Sequence, residues 1–273
     1  MSISPKGIAV VTGASAGIGA VYADRLARRG HDLLLVARDR QRLDALATRL
    51  TDDTGRSVGV MVADLSDRTQ IGRVEQALRT NASITMLVNN AGIAMSGDLE
   101  DADPDQLERM IQLNVLAPSL LARAAIPGFV ARGAGTLINI SSVLAVAPER
   151  FNGPYSGTKA YLLNLSARLQ QEVAGKGVRV QAVLPGATRT AIWEKAGTDI
   201  ATLPPAIVMD VHHMVDAALA GLDRGETVTI PSLPDMADWE AYEARRQHMV
   251  PKLSLSTPAP RYGVEALNPV GER

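Results

Sequence analysis

The stretch "GIAVVTGASAGIG" (residues 7–19) runs from a short apolar segment directly into a cluster of three glycines. "GIAVV" (7–11) has the length and composition of a buried strand, and a helix is predicted from Gly17 to about Arg29. Glycines between a strand and a helix allow a pyrophosphate to approach the helix N-terminal N–H groups and the positive end of the helix dipole. The stretch therefore predicts a dinucleotide site, with a purely structural glycine turn as the alternative.

Short apolar segments alternate with helix-like segments along the rest of the chain. The other predicted strands are "DLLLV" (32–36), "SVGVMVA" (57–63), "ITMLVNN" (84–90), "GTLINIS" (135–141), "VRVQAVLPG" (178–186) and "TVTIP" (227–231). One of the intervening helices is expected to run from Pro104 towards Leu121, with Pro118 as a candidate break. Apolar strands separated by helices predict an α/β fold, a doubly wound Rossmann-type sheet of seven parallel strands with helices on both faces.

The length of 273 residues suits one large domain. The seven strands occupy residues 1–232, the predicted dinucleotide-binding and catalytic domain. Residues 233–273 form a predicted C-terminal extension, in which "PDMADWEAYEARRQHM" (234–249) has the character of an amphipathic helix and the rest is rich in Pro, Ser and Gly. We therefore expect one core and a C-terminal segment that adds no second core.

Composition excludes several classes of function. A net charge of −1 gives no polycationic field for nucleic acid, and without cysteine there is no disulfide, thiol catalysis or thiolate metal site. No Asp, Glu or His cluster has metal-ligand spacing, so no metal is predicted. Neither a signal peptide nor an uninterrupted apolar run of about 20 residues is present, so we expect no membrane association and a cytoplasmic location.

The segment "YSGTK" (155–159) places a phenol and an ammonium four positions apart. In a helix both side chains leave the same face. A free phenol has a pKa of about 10, and a neighbouring ammonium lowers that pKa by favouring the phenolate. Lys159 is therefore predicted to tune Tyr155 for proton transfer near neutral pH.

The glycine spacing T-G-x-x-x-G-x-G is one of several motifs that occur together in one known family. "NNAG" (89–92) ends the fourth strand, and "LNVLAP" (113–118), "NISS" (139–142), "YSGTK" and "PGATRT" (185–190) follow in order. Ser142 lies 13 residues before Tyr155. Over residues 7–232 the chain thus resembles the short-chain dehydrogenase/reductase family, in its compact one-domain branch.

The resemblance implies four catalytic residues. Tyr155 would be the general acid or base, Lys159 would lower the pKa of Tyr155, and Ser142 would hydrogen-bond the substrate oxygen. Ser141 is the alternative to Ser142, because strand alternation places the two on opposite faces, and separation from Tyr155 favours Ser142. Asn114 would help to hold a water that links Lys159 to solvent.

The resemblance also implies a set of cofactor-binding residues. They are Gly13, Ser15, Gly17, Ile18, Gly19, Arg38, Asp64, Leu65, Asn90, Ala91, Gly92, Tyr155, Lys159, Pro185, Gly186, Thr188 and Thr190. Asp64 would contact the adenine, or alternatively only cap the turn that follows it. "NNAG" by itself also reads as a simple turn at the end of a strand.

The end of the second predicted strand indicates which nicotinamide cofactor is used. An acidic residue there would accept the ribose hydroxyls of NAD(H), whereas an arginine would pair with the 2′-phosphate of NADP(H). The chain has Ala37 and then Arg38, and Asp39 is interpreted as the N-cap of the next helix. NADP(H) is therefore predicted over NAD(H), although Ala16 stands where many NADP-preferring relatives carry a basic residue or serine.

Together these features predict an NADP(H)-dependent oxidoreductase that interconverts a small ketone or aldehyde with an alcohol by hydride transfer. The alternatives are a non-catalytic NADP(H)-binding regulatory protein on the same fold and a nicotinamide-using isomerase or dehydratase. By resemblance the chain is expected to form a homodimer or homotetramer. Trp193 lies in the expected substrate loop, where it either forms a wall of the substrate pocket or anchors the loop at the protein surface.

Overall fold

The computed structural model of the chain describes residues 6–197 and 199–264. Within them, parallel strands form one seven-stranded sheet in the order β3-β2-β1-β4-β5-β6-β7. The strands, β1 to β7, are Ile8–Thr12, Asp32–Ala37, Val58–Val62, Ile84–Asn89, Gly135–Ile140, Val178–Val183 and Val228–Thr229. The order reverses between β1 and β4, where a doubly wound sheet leaves a crevice for ligands. The predicted fold class is confirmed.

Helices cover both faces of this sheet. The helices α1 to α8 are Gly17–Arg28, Arg40–Thr54, Arg68–Thr80, Pro104–Ile111, Ala117–Arg132, Gly153–Glu172, Ile192–Lys195 and Val211–Asp223. One apolar core lies between the sheet and α1, α2 and α8, and the other lies against α3, α5 and α6. Successive β1 residues point into opposite cores, Val10 into the second and Val11 into the first.

The helix α2 begins as the sequence predicts. Asp39 is its N-cap, and its side chain accepts a hydrogen bond from the Arg42 backbone N–H at 3.0 Å. An aspartate in this position satisfies a helix N–H that otherwise has no partner. The Asp39 side chain thus caps the start of α2, as interpreted from the sequence.

The helix that begins at Pro104 is longer than expected and does not break at Pro118. A π-type turn at Gln112–Leu116 joins α4 to α5, which continues to Arg132. The Ala117 N–H bonds to the Gln112 carbonyl, so regular pairing is already interrupted just before Pro118. Pro118 lacks an N–H donor, and at this place the helix does not require one. Pro118 therefore follows the irregularity and does not end the helix.

The same helical region also passes a simple test for a membrane span. Residues Pro104–Arg132 are long and apolar enough to cross a membrane, judged by length and composition alone, and 18 of them have a mean hydropathy of 1.4. Half of those 18 residues are buried inside the fold. A core helix of a globular protein gives the same result, so this is weak evidence for a span. The sequence analysis expected no membrane association because it considered only uninterrupted apolar runs. Arg123 interrupts this segment but does not greatly lower its mean hydropathy.

Contacts within the chain divide it between Ser232 and Leu233. The C-terminal unit contains the predicted helix as α9, Met236–Met249, where the rings of Trp239 and Tyr242 stack at 5.2 Å. Between α9 and residue 264, the last described residue, the chain forms only short turns, at Val250–Lys252 and Pro260–Tyr262. The predicted extension continues to residue 273, but residues 265–273 lie outside those described.

Candidate active site

Two glycines where β1 leads into α1 have no room for side chains: Gly13 in the loop and Gly19 in the first turn of the helix. A Cβ on Gly13, where φ is +66°, would lie 2.8 Å from the Asn90 side-chain nitrogen, and one on Gly19 would lie 2.5 Å from the same atom. Ala16, the N-cap of α1, has no polar group to occupy the first helix N–H groups. The loop therefore offers backbone donors and the positive helix end to an anion.

Thr12, the last residue of β1, connects this glycine loop to the "NNAG" segment. Its hydroxyl donates to the Val88 carbonyl at 3.2 Å and accepts from the Asn90 and Ala91 N–H groups at 2.9 and 3.0 Å. The Asn90 side chain in turn donates to the Thr12 carbonyl at 2.8 Å. "NNAG" is thus more than a turn, because it braces the glycine loop at the crevice between β1 and β4.

The loop after β6 reaches the same place. The Thr188 hydroxyl donates to the Gly186 carbonyl at 3.1 Å, and a Cβ on Gly17 would meet the Thr190 methyl at 3.3 Å. Pro185 accepts a hydrogen bond from the Ser142 hydroxyl at 3.4 Å. The predicted nicotinamide loop, 185–190, therefore lies between the glycine loop and the end of β5.

Charged side chains meet beyond the ends of β2 and β3. One Asp64 carboxylate oxygen lies 3.1 Å from an Arg109 nitrogen and 3.6 Å from an Arg38 nitrogen, and the other accepts from the Ser66 N–H and hydroxyl. Burial alone would raise the pKa of Asp64, but the Ser66 hydrogen bonds and the two arginines hold that pKa below its usual range. Asp64 caps its turn, as in the alternative reading, and also faces Arg38. Its contact with the adenine stays a prediction.

Two predicted cofactor residues use their side chains elsewhere. Leu65 is buried in the second core, and Ile18 packs against the first. Leu65 therefore has only backbone groups left for a ligand, whereas the side chain of Ile18 remains partly exposed. Ser15, by contrast, is half-buried in the glycine loop, directly before the start of α1.

Tyr155 and Lys159 lie in the first turns of α6, one turn apart, as predicted. The Lys159 ammonium is 5.6 Å from the centre of the Tyr155 ring and donates to the Ile140 carbonyl, at the end of β5, at 2.9 Å. Lys159 is 5% exposed, so it is not a solvated surface charge. The two side chains therefore share one environment at the carboxyl edge of the sheet.

Burial dominates the protonation of this pair. It raises the pKa of the Tyr155 phenol and lowers the pKa of the Lys159 ammonium to about 8. The pKa of Tyr155 thus does not move in the predicted direction, because loss of solvent is the cause of the shift and acts against the phenolate. At neutral pH the phenol is protonated and the amine is charged.

The two neighbouring serines at the end of β5 have different roles. The Ser141 hydroxyl is buried and donates to the Lys159 carbonyl at 2.7 Å, which fixes α6 to the sheet. The Ser142 hydroxyl faces the loop after β6, where it meets the Pro185 carbonyl, and accepts from the Leu144 N–H at 3.2 Å. The 3.4 Å bond to Pro185 is long, which leaves Ser142 as the more available donor.

Asn114 lies inside the π-type turn and is 1% exposed. Its side chain accepts from the Ile93 N–H at 3.0 Å and donates to the Ile93 carbonyl at 2.8 Å and the Thr158 hydroxyl at 3.1 Å. It thereby fixes the loop after β4 and the helix α6, three residues from Tyr155. The water that it is expected to hold near Lys159 remains a prediction.

Asn152 is a further positioning residue that the sequence motifs do not include. As N-cap of α6 it accepts from the Tyr155 N–H at 3.1 Å, and its amide donates to the Gly97 carbonyl at 2.7 Å. Phe151, immediately before it, lies against Tyr155 with ring centres 5.8 Å apart. The start of α6 is therefore held from two directions.

These residues fit a dinucleotide. The glycine loop would receive the pyrophosphate, Arg38 a 2′-phosphate, and the loop 185–190 the nicotinamide end. Within residues 6–197 and 199–264, no three His, Asp or Glu side chains are grouped to hold a metal ion.

The family model described as short chain dehydrogenase matches residues 7–201. This range covers the glycine loop, Asn114, Ser142, Tyr155, Lys159 and the loop after β6. The chain belongs to the short-chain dehydrogenase family. The sequence resemblance is thereby confirmed, and the family accounts for the order in which the motifs occur.

Two solved members of this family closely resemble the chain over nearly its whole length. A short-chain dehydrogenase from Sphingobium yanoikuyae in complex with NADPH is 49% identical, with a TM-score of 0.91 over 94% of this chain and 99% of that one. A bulky-bulky ketone specific alcohol dehydrogenase from Comamonas testosteroni is 44% identical, with a TM-score of 0.87 over 94% of this chain and 98% of that one.

Among curated proteins, the very-long-chain 3-oxoacyl-CoA reductase of Anas platyrhynchos is 36% identical over 182 residues. The match covers 65% of this chain and 58% of that protein. The chain therefore spans little more than half of that short-chain dehydrogenase relative.

Proposed function

We propose that the protein is an NADP(H)-dependent oxidoreductase that interconverts a ketone or aldehyde with an alcohol. The observation that carries this proposal is the pair formed by half-buried Tyr155 and buried Lys159, placed at the carboxyl edge of the sheet beside Ser142 and the loop 185–190. A half-buried phenol beside a buried ammonium is costly, and such pairs concentrate at functional sites. A pure NADP(H) sensor would need neither group, which disfavours the non-catalytic alternative.

The cofactor would be held by the glycine loop, by Arg38 near the adenine end and by residues 185–190 at the nicotinamide end. When bound, NADPH supplies the hydride that the carbonyl carbon accepts. Arg38 follows β2 directly and its side chain is half exposed, which leaves it available to a 2′-phosphate. The NADPH complex of the Sphingobium relative supports the same choice of cofactor.

The side chains of the chain itself would handle the proton. In the reductive direction Tyr155 is protonated at neutral pH and donates its proton to the substrate oxygen, while the Ser142 hydroxyl orients that oxygen. The charged Lys159 then stabilises the phenolate that remains. The ketone-specific Comamonas relative supports a ketone as the oxidised substrate.

The remaining expectations are also proposals. A homodimer or homotetramer through the helical regions 104–130 and 154–174 is consistent with Tyr161 on α6, which is 41% exposed. Light scattering of the purified chain tests this assembly. A cytoplasmic location, with small molecules as the partners, fits the net charge of −1 and the absence of cysteine.

The test of the proposed function is the Tyr155→Phe variant. We expect kcat for NADPH-dependent ketone reduction to fall about 10²- to 10⁴-fold, because the proton donor is lost while the ring remains. Equilibrium binding of NADPH, measured by fluorescence, should change little. Ketone reduction by the variant at the wild-type rate would contradict the proposal, as would the absence of any carbonyl turnover by the native protein.

A further inference from the structure

Three aromatic side chains form a row that starts at Tyr155. The Phe151 ring lies 5.8 Å from the Tyr155 ring at 80°, and 6.0 Å from the Trp193 ring at 77°. Both contacts have the edge-to-face geometry that aromatic pairs prefer. We refer to Trp193, Phe151 and Tyr155 as the aromatic row.

The ends of the aromatic row flank the place where a carbonyl would react. Tyr155 is the proposed proton donor at one end. At the other end the Trp193 indole donates to the Thr188 carbonyl at 2.9 Å, within the loop that would hold the nicotinamide. The row therefore extends from the proton donor to the hydride side, where a substituent of the carbonyl carbon would lie.

The middle of the row is apolar and fixed in position. Phe151 is half-buried and carries no polar atom, and the single indole donor of Trp193 is already used by Thr188. Asn152, the next residue, is bonded to both Tyr155 and Gly97, which holds Phe151 beside the start of α6. The row thus offers ring faces and edges to a substrate and no unused polar group at its centre.

We propose that the substrate carries an aryl group on its carbonyl carbon and that Phe151 is the residue that selects for this group. The inference rests on the proposed carbonyl chemistry. A flat ring can join the row edge-to-face and gains the attraction between ring quadrupoles in addition to burial, whereas an aliphatic ring of similar size gains burial alone. Trp193 packs against Phe151 on the side away from Tyr155.

The test compares acetophenone with cyclohexyl methyl ketone, which have the same carbon skeleton. Wild type, Phe151→Leu and Phe151→Tyr are assayed for kcat/KM with NADPH. Phe151→Leu should lower the ratio of acetophenone to cyclohexyl methyl ketone about threefold to tenfold, and Phe151→Tyr, which keeps the ring, should preserve it. Comparing this ratio between variants cancels the different intrinsic reactivity of the two ketones. A ratio unchanged in Phe151→Leu would overturn the inference.

A binding measurement separates this inference from the proposed function. Calorimetry gives the Kd of each ketone for the NADP⁺-loaded wild type and both variants, without turnover. Turnover of both ketones with unchanged ratios of kcat/KM and Kd overturns the aryl inference and leaves the function standing. A Kd ratio that falls about threefold to tenfold in Phe151→Leu, without any turnover, supports the aryl site and overturns the function. Neither binding nor turnover overturns both.

Discussion

Lys159 is the residue whose state most affects the site. It is buried, its ammonium bonds the Ile140 carbonyl, and burial lowers its pKa from 10.5 to about 8. The charge is therefore retained at neutral pH at a cost to the folded state. This cost is expected at a functional residue, because a more stable protein would place an uncharged side chain there.

The cost appears as a pH dependence of stability. The folded-state pKa of Lys159 is depressed, so the unfolded chain binds this proton more readily than the folded one. The folded state is therefore free of the cost above the unfolded pKa, and this stability is lost as pH falls through about 8. Between pH 8 and pH 10 the free energy of unfolding of the wild type should rise by about 2 kcal/mol relative to Lys159→Met. Urea unfolding of both proteins at each pH measures this. Parallel pH profiles would contradict it.

Arg38 should determine the preference between the two nicotinamide cofactors. Arg38→Ala removes the cation proposed for the 2′-phosphate, and we expect the KM for NADPH to rise about tenfold. The KM for NADH should stay within about twofold, since NADH has no such phosphate. Steady-state kinetics with both cofactors give the result, and Arg40→Ala, a matched exposed arginine on the next helix, is the control. A native enzyme that favours NADH would contradict the assignment.

Among single residues, the sequence predicted those contacts that are made between residues close together along the chain. Tyr155 and Lys159 are one helical turn apart, so their common face follows from spacing alone. The contacts of Thr12, Arg109 and Asn152 were missed because their partners lie 78, 45 and 55 residues away. The direction of the Tyr155 pKa was also wrong, because burial depends on segments that the motif does not contain.

At the scale of the helix, Asn152 both begins α6 and ties it to the loop after β4. Asn152→Ala should lower the free energy of unfolding by about 1 kcal/mol, the usual cost of a lost N-cap, and should lower kcat because Tyr155 is less firmly placed. Thermal unfolding and ketone kinetics measure the two effects.

Asn152→Asp separates those effects. The carboxylate keeps the cap acceptor for the Tyr155 N–H but lacks the donor to Gly97. We expect stability near that of the wild type at pH 7, with kcat still reduced. An alanine variant as stable and active as the wild type would show that the cap is dispensable.

Helix boundaries were predicted where local chemistry decides them. Asp39 marks the start of α2 because an aspartate cap acts within three residues. The π-type turn at Gln112–Leu116 was not predicted, and Pro118 was taken as a candidate break instead. The turn is held by Asn114 bonding to Ile93 and Thr158, so its cause lies in neighbouring segments and not in the helix sequence.

At the scale of the whole molecule, the alternation of apolar strands and helices was sufficient for the fold class. Six predicted strands match observed ones closely, and β7 is shorter than expected, at two residues. An edge strand pairs on one side only, so apolar composition overestimates its length. Substrate and assembly depend on surfaces that such patterns do not describe.

The division between Ser232 and Leu233 leads to a prediction about truncation. All seven strands and all predicted cofactor residues lie before this point. A chain ending at Ser232 should therefore fold and bind NADPH with a Kd within about threefold of the full chain. Circular dichroism and fluorescence titration test this. A truncated chain that is unfolded or does not bind NADPH would show that residues 233–273 are required for the fold.

Thr12 has a consequence for attempts to redesign this enzyme. Its hydroxyl joins the end of β1 to the segment that follows β4. The loop that would receive the phosphates and the segment that leads towards the reacting carbonyl are therefore held by the same hydroxyl. Changes introduced at residues 90–95 to admit a new ketone will therefore also alter cofactor affinity. Selection for a new substrate on this scaffold should accordingly be carried out at limiting NADPH, where both effects are visible together.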